Sequence, residues 1–307
     1  MKISIKIIFD LIQMSILGMA IYWLSRYVAT EDIKRWFSQI NICLFLLILI
    51  QRFTPYLFLG YRFYVLSERK VSLKRAIAGG IMCVGFNNIL PGRLGEVLKI
   101  FYFKRFSKLP YTRLIANVFV ERITDVFILL AIGTIFTFNL IPLRYSLLFT
   151  GIMLIQLIII LDKKNLILKG INLICKKNFF SIVRLAHNFY SIIRSEVFIK
   201  SLSISSLIWG MNILHILLLV FCFLELKISL YESLLLFLIV FSAGLFPIPG
   251  GVGVVDAGIF IFLNSYLNLP EYESLKTAFF CRFFYSMPAI VGMLFVNIEY
   301  LFKSRVY

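Results

Sequence analysis

Apolar residues run almost unbroken at six places along the chain: Ile7 to Ser25, Ile40 to Tyr61, Ile115 to Phe138, Tyr145 to Leu161, Leu202 to Leu224 and Lys276 to Leu301. Each is close to the roughly 20 residues that a helix needs to cross about 30 Å of hydrocarbon. The pattern predicts six full transmembrane helices. Two further apolar regions, Ala76 to Leu98 and Ser233 to Leu263, are interrupted by proline and glycine, which predicts broken or re-entrant helical hairpins. A reading in which both regions span fully, giving eight crossings, stands beside it. Between the fourth and fifth spans, Asp162 to Lys200 is basic and sets Ile182, Leu185, Phe189, Ile192 and Ile193 at near-helical spacing, as an amphipathic helix on the inner membrane surface would. Ile7 to Ser25 is too long for the apolar region of a signal peptide and lacks a convincing cleavage site, so it is expected to stay as the first span.

The two interrupted regions share a motif. "LPGRLGE" at Leu90 to Glu96 and "IPGGVGVVD" at Ile248 to Asp256 both read P-G-x-[LV]-G, with an acidic side chain within three residues of the last glycine. About 30 residues beyond each lies an arginine inside an apolar run, Arg122 and Arg282. The similar offsets, 158 residues for the prolines and 160 for the arginines, predict an internal duplication with halves of about 1–139 and 140–307 in a single transmembrane domain. The first broken region opens between basic segments and the second between Glu232 and Glu271, so the halves are predicted to be inverted copies.

Composition agrees with a bilayer: 61% of residues are hydrophobic and only 15% charged. The net charge of +17 raises the possibility of a nucleic-acid partner, but its placement argues otherwise. With the N-terminus inside, 22 Lys and Arg fall in inner segments, counting Arg62 and Lys99 as loop residues, against 5 outside, and 5 lie in or beside apolar runs. This is the positive-inside asymmetry of a multi-pass protein of the cytoplasmic membrane with both termini in the cytoplasm. Basic inner loops also suit anionic lipid headgroups. Five cysteines without a CxxC pair and two histidines, His187 and His215, point to neither a disulfide framework nor a metal centre.

The chemistry sits at the breaks. Irregular backbone at membrane depth is tolerated where protein buries it or a watery cavity meets it, so each Pro-Gly break marks a cavity. Pro91 and Pro249 stop a helix; Gly92, Gly95, Gly250, Gly251 and Gly253 permit close backbone approach; Asn87 and Asn88 cap the broken backbone or touch a ligand. Three arginines that cannot lose their charge, Arg93, Arg122 and Arg282, are costly at depth, about 2.5–3.5 kcal/mol each on insertion scales. Glu96, Glu121, Asp125 and Asp256 are the candidate partners, and a lipid phosphate is a further one because a guanidinium fork matches its oxygens. Structural readings compete: Arg122 with Asp125 as an i,i+3 ion pair, and Arg93 with Glu96 as a polar helix end. Arg52 also lies mid-span without an evident partner.

Four ordered stretches, "NNILPGRLGEVLK" (Asn87 to Lys99), "VERITD" (Val120 to Asp125), "FPIPGGVGVVDAG" (Phe246 to Gly258) and "CRFFY" (Cys281 to Tyr285), resemble the lysylphosphatidylglycerol synthase transmembrane, or flippase-like, domain family over nearly the whole chain. That family usually has glutamate where this chain has Asp256. Its synthases carry a fused cytosolic aminoacyl-transferase domain; this chain ends six residues after Leu301, so a stand-alone member without lipid aminoacylation is expected. The resemblance implies movement of a lipid across the membrane. The expectation is a lipid flippase or transporter for an anionic, phosphate-bearing lipid, either a phospholipid or a polyprenyl-phosphate-linked glycan. No cofactor is expected, and proton or ion coupling is a candidate driving force, since no G-x-x-x-x-G-K-[ST] phosphate loop occurs. The rivals are an intramembrane transferase acting on lipid headgroups, and a membrane scaffold or channel.

Overall fold

The computed structural model describes residues 30–38, 40–90, 93–137, 151, 180–243 and 254–303. Among them the chain is all-α, and no strand occurs. The helices, in order, are α1 (Thr30–Ser38), α2 (Ile42–Leu66), α3 (Leu73–Ile89), α4 (Leu94–Phe106), α5 (Tyr111–Thr137), α6 (Phe180–Ile193), α7 (Glu196–Leu217), α8 (Leu230–Ala243), α9 (Val254–Ile261) and α10 (Glu271–Lys303). Short π-helical stretches, Leu218–Phe223 and Phe262–Tyr266, extend α7 and α9.

Helix starts follow local chemistry. Asn41 Oδ1 accepts from the backbone N–H of Cys43 and Leu44, at 3.0 and 3.3 Å, and so caps α2. Before α8, Glu232 accepts from the Ser229 N–H at 2.6 Å while the Ser229 hydroxyl accepts from the Glu232 N–H at 3.2 Å, a reciprocal capping box. Pro110 and Pro270 immediately precede α5 and α10, where a missing N–H costs nothing. The break predicted at Pro91-Gly92 falls between the end of α3 at Ile89 and the start of α4 at Leu94.

Among the described residues, three helices are long and apolar enough to cross a membrane: Ile42–Leu66, Glu196–Phe223 and Glu271–Leu294. They match the second, fifth and sixth expected spans. The third corresponds to α5, whose 27 residues suffice in length but carry Glu121, Arg122 and Asp125 mid-helix. The spans Ile7 to Ser25 and, Gly151 aside, Tyr145 to Leu161 lie outside the described residues.

Two compact units form, and each takes segments from both predicted sequence halves. The first holds α1, α2 to Ile50, α3 from Val84, the π-helical extension of α7, α8, α9 and α10 to Met293. Its packing is aromatic: Trp36 of α1 lies 5.4 Å from Phe279 and 5.8 Å from Tyr272, and Phe223 sits 4.9 Å from Phe280. The second holds α2 from Gln51, α3 to Cys83, α4 from Gly95, α5, α6 and α7 to His215. Here α2 and α3 cross at backbone contact, since a Cβ on Gly60 would lie 2.3 Å from Ile77 Cα. Phe63 and Phe103 stack at 3.9 Å beside this crossing.

The amphipathic stripe of residues 180–193 is a helix, α6, and most of its apolar face is spent on protein. Ile192 and Ile193, with Leu185 and Phe189, pack against Leu66, Ala116, Val120 and Phe198, whereas Ile182 remains exposed. The loop assignment of two cations is corrected. Arg62 and Lys99, counted among inner loop charges, lie within α2 and α4 and are buried, because carboxylates of α4 and α5 receive them.

Candidate functional site

Three carboxylates and three cations meet in the second unit. α5 presents Glu121, Arg122 and Asp125 within little more than one helical turn, α4 presents Glu96 and Lys99 at i,i+3, and α2 contributes Arg62. Arg62 grips both oxygens of Asp125, Nη1 to Oδ1 at 2.5 Å and Nη2 to Oδ2 at 3.2 Å, and Nη1 also donates to the Ser205 hydroxyl at 2.7 Å. Its Nε lies 3.7 Å from Glu121 Oε1. Lys99 Nζ bridges Glu121 at 2.5 Å and Glu96 at 3.2 Å. Arg122 Nη2 spans Glu96 Oε1 at 3.2 Å and Asp125 Oδ2 at 3.3 Å. Trp209 of α7 adds an indole N–H to Asp125 Oδ1 at 3.2 Å. The ring of charge is closed and balanced.

Exposure ranks its members. The side chains of Arg62, Glu121, Lys99, Asp125 and Glu96 are 0, 1, 5, 9 and 14% exposed, and that of Arg122 is 34% exposed. Arg122 is the face that the ring turns outward. One turn before it and one turn after it on α5, Phe119 and Val126 are exposed, and Val97 and Phe101 are exposed on α4. A fixed cation in a strip of open apolar surface suits an amphiphile better than a freely hydrated anion.

The first unit holds a second pair. Asp256, in the first turn of α9, accepts from Arg282 of α10 at both oxygens, Nε to Oδ1 at 2.8 Å and Nη2 to Oδ2 at 2.6 Å. The shorter aspartate therefore reaches its arginine with full bidentate geometry. Arg93 stands immediately before α4 with φ of 57°, a left-handed conformation uncommon outside glycine. Asn88 of α3 donates back to the Val84 carbonyl at 2.9 Å, and Asn87 lies half-buried one residue earlier. Gly95 is buried in the first turn of α4. Pro91, Gly92, Pro249, Gly250, Gly251 and Gly253 lie outside the described residues.

Arg122 and Arg282 thus find carboxylates from their own protein. Glu96, Glu121, Arg122 and Asp125 come together in one ring, and Asp256 joins Arg282 in another pair. An anion from outside is not needed to neutralise Arg122 or Arg282. Arg62 and Lys99 were hidden by being placed in loops, although "YRFYVL" (Tyr61 to Leu66) flanks Arg62 with apolar residues as a membrane helix would. A second polar group on α2 and α7 gives Arg52 its partner: Nη1 donates to Asn212 Oδ1 at 2.8 Å. Beside it, Gln51 donates to the Met211 carbonyl at 2.7 Å and so turns its Oε1 toward His215 Nδ1, 2.9 Å away.

Among known proteins, the family model described as the lysylphosphatidylglycerol synthase TM region matches residues 10–292. No curated protein and no solved structure matches the chain. The match covers most of the chain, including every described charged residue of the ring and of the Asp256–Arg282 pair. The chain therefore belongs to the family of the lysylphosphatidylglycerol synthase transmembrane region, a family of membrane proteins related to lipid handling.

Proposed function

We propose that this protein is a lipid flippase or transporter of the cytoplasmic membrane, acting on an anionic, phosphate-bearing lipid, either a phospholipid or a polyprenyl-phosphate-linked glycan. The observation that carries the reading is Arg122: a guanidinium held by two carboxylates, the most exposed member of the ion ring and bordered by exposed Phe119 and Val126. The phosphate would take the open side of that guanidinium and the acyl or prenyl chain the apolar strip. Glu96 and Asp125 position Arg122; Lys99 holds Glu96, Arg62 holds Asp125, and Glu121 pairs with both of these cations. Within the first unit, the Asp256–Arg282 pair and Arg93 are proposed as headgroup-binding residues in their own right.

An inverted duplication supports transport rather than chemistry on the headgroup. Element positions recur at one offset: α4 covers Leu94–Phe106 and α9 with its extension Val254–Tyr266, while α5 and α10 open at Tyr111 and Glu271, each 160 residues apart. The ion pairs recur with them. Glu96 and Arg122 are 26 residues apart, as are Asp256 and Arg282. Gln51 bonds Met211 and Arg52 bonds Asn212, residues themselves separated by 160. Six crossings, two broken hairpins and cytoplasmic termini complete the proposed topology.

The test is lipid retention. Purified protein analysed by native mass spectrometry should carry phosphate-bearing lipids, and Arg122→Gln should lose them while remaining folded. Equal lipid loads on the two proteins would remove Arg122 from the site.

A further inference from the structure

We propose that an anionic lipid enters this site together with a proton, and that Glu96 takes the proton. The inference rests on the proposed binding of a lipid phosphate at Arg122 and adds how that binding is balanced. Among the described residues of the second unit, the ring has three cations, Arg62, Lys99 and Arg122, and three carboxylates, Glu96, Glu121 and Asp125. A phosphodiester arriving at Arg122 leaves a net negative charge in a setting that solvates charge poorly, and a compensating positive charge restores balance.

The geometry selects the carboxylate. A phosphate that draws on Arg122 weakens the hold of its Nη2 on Glu96 and Asp125. Asp125 keeps both nitrogens of Arg62 and the Trp209 indole. Glu121 keeps Lys99 at 2.5 Å and the Arg62 Nε. Glu96 is left with Lys99, 3.2 Å from its Oε2 and held closer by Glu121, and with no guanidinium. The groups facing Glu96 are Arg122 and Glu121 of α5, Lys99 on its own helix and the Cys83 thiol of α3, which hydrogen-bonds it. Glu96 is also the most exposed of the three carboxylates, which gives a proton from the aqueous phase its easiest way in. The proton moves from water or buffer to a Glu96 oxygen, the phosphate remains ionised, and no bond to phosphorus changes.

Titration calorimetry of the full chain in detergent at about pH 7 tests this, with dioctanoyl phosphatidylglycerol and farnesyl phosphate as probes. Each titration is run in two buffers of different ionisation heat. The expected result is a buffer-dependent heat equivalent to uptake of about one proton per phosphatidylglycerol, and affinity that weakens toward high pH. In Glu96→Gln the site is already short of one negative charge, so uptake disappears and phosphatidylglycerol binds more tightly at high pH than it does to the wild type. Binding to the wild type with buffer-independent heat overturns the proton proposal and leaves the lipid site standing. Uptake that persists in Glu96→Gln, or weaker binding by that variant, overturns the assignment to Glu96. If neither probe binds the wild type, the lipid-site reading fails and this inference goes with it.

Discussion

Arg62 is the residue on which the ring leans most. Fully buried, it faces two carboxylates and a hydroxyl, so its removal leaves Asp125 and Glu121 short of a counter-ion in the protein interior. Breaking a buried pair from one side typically costs about 3–5 kcal/mol, whereas replacing both partners by apolar groups is often nearly neutral. Arg62→Met should therefore lower the thermal unfolding temperature strongly, and Arg62→Met with Asp125→Leu should recover much of that loss, as measured on purified protein in one detergent. A double variant as unstable as the single would show that the ion pair matters little and the surrounding contacts matter more. The sequence made Glu96, Glu121, Arg122 and Asp125 visible because charge inside an apolar run is conspicuous. Arg62 and Lys99 sit at the ends of such runs, where a buried charge and a loop charge look alike until the opposite helix is known.

At the scale of elements, the crossing of α2 and α3 sets where Arg62 points. Gly60 lies two residues before Arg62, and a Cβ there would overlap the backbone of Ile77. Gly60→Ala should destabilise by about 1–3 kcal/mol through overpacking and reduce lipid retention with it. Gly133→Ala on α5 is the control, because nothing lies within 4 Å of the added carbon; its stability should be unchanged or slightly improved, judged by thermal unfolding of both variants. Another joint ties three elements outside the apolar spans. Glu68, in the turn after α2, pairs with Lys70 and with Arg113 of α5, and Arg113 also donates to Ser191 of α6 at 2.8 Å. The hydrogen bond from Lys70 holds the Glu68 carboxyl below its ordinary range against the opposing effect of burial, and the charges of Arg113 and Lys70 add to it. A depressed folded-state value means that this joint contributes stability above the ordinary carboxylate range and loses it as pH falls through the lowered value. Unfolding curves of wild type and Glu68→Gln should therefore differ at neutral pH and converge in acid; a constant gap would contradict the assignment. Helix positions were largely legible because length and apolarity determine them in a bilayer. The fate of the amphipathic stripe in α6 was not, since the same stripe serves a lipid surface or a protein neighbour, and the structure spends most of it on α2, α5 and α7.

Over the whole molecule, the recurring offset of 160 residues joins what the motifs hinted at to what the helices display. The matched "LP" at Leu109-Pro110 and Leu269-Pro270 carries the same offset in plain view, but two common residues are weak evidence until the helices that follow them are seen to open together. Charge balance was not legible, because Arg62 and Lys99 read as loop charges and only the packing brings them to Asp125 and Glu121. The balanced ring changes the physical problem from holding three stranded cations to admitting one more anion at Arg122. The most direct measurement is therefore the sidedness of a labelled anionic lipid in proteoliposomes, with wild-type and Arg122→Gln protein at equal folded content. The wild type should move phosphatidylglycerol or a polyprenyl phosphate between leaflets at least about tenfold faster than the variant, the loss of one charge-assisted contact of roughly 1.5–3 kcal/mol. Equal rates for the two proteins, or rates no faster than protein-free vesicles, would contradict the account.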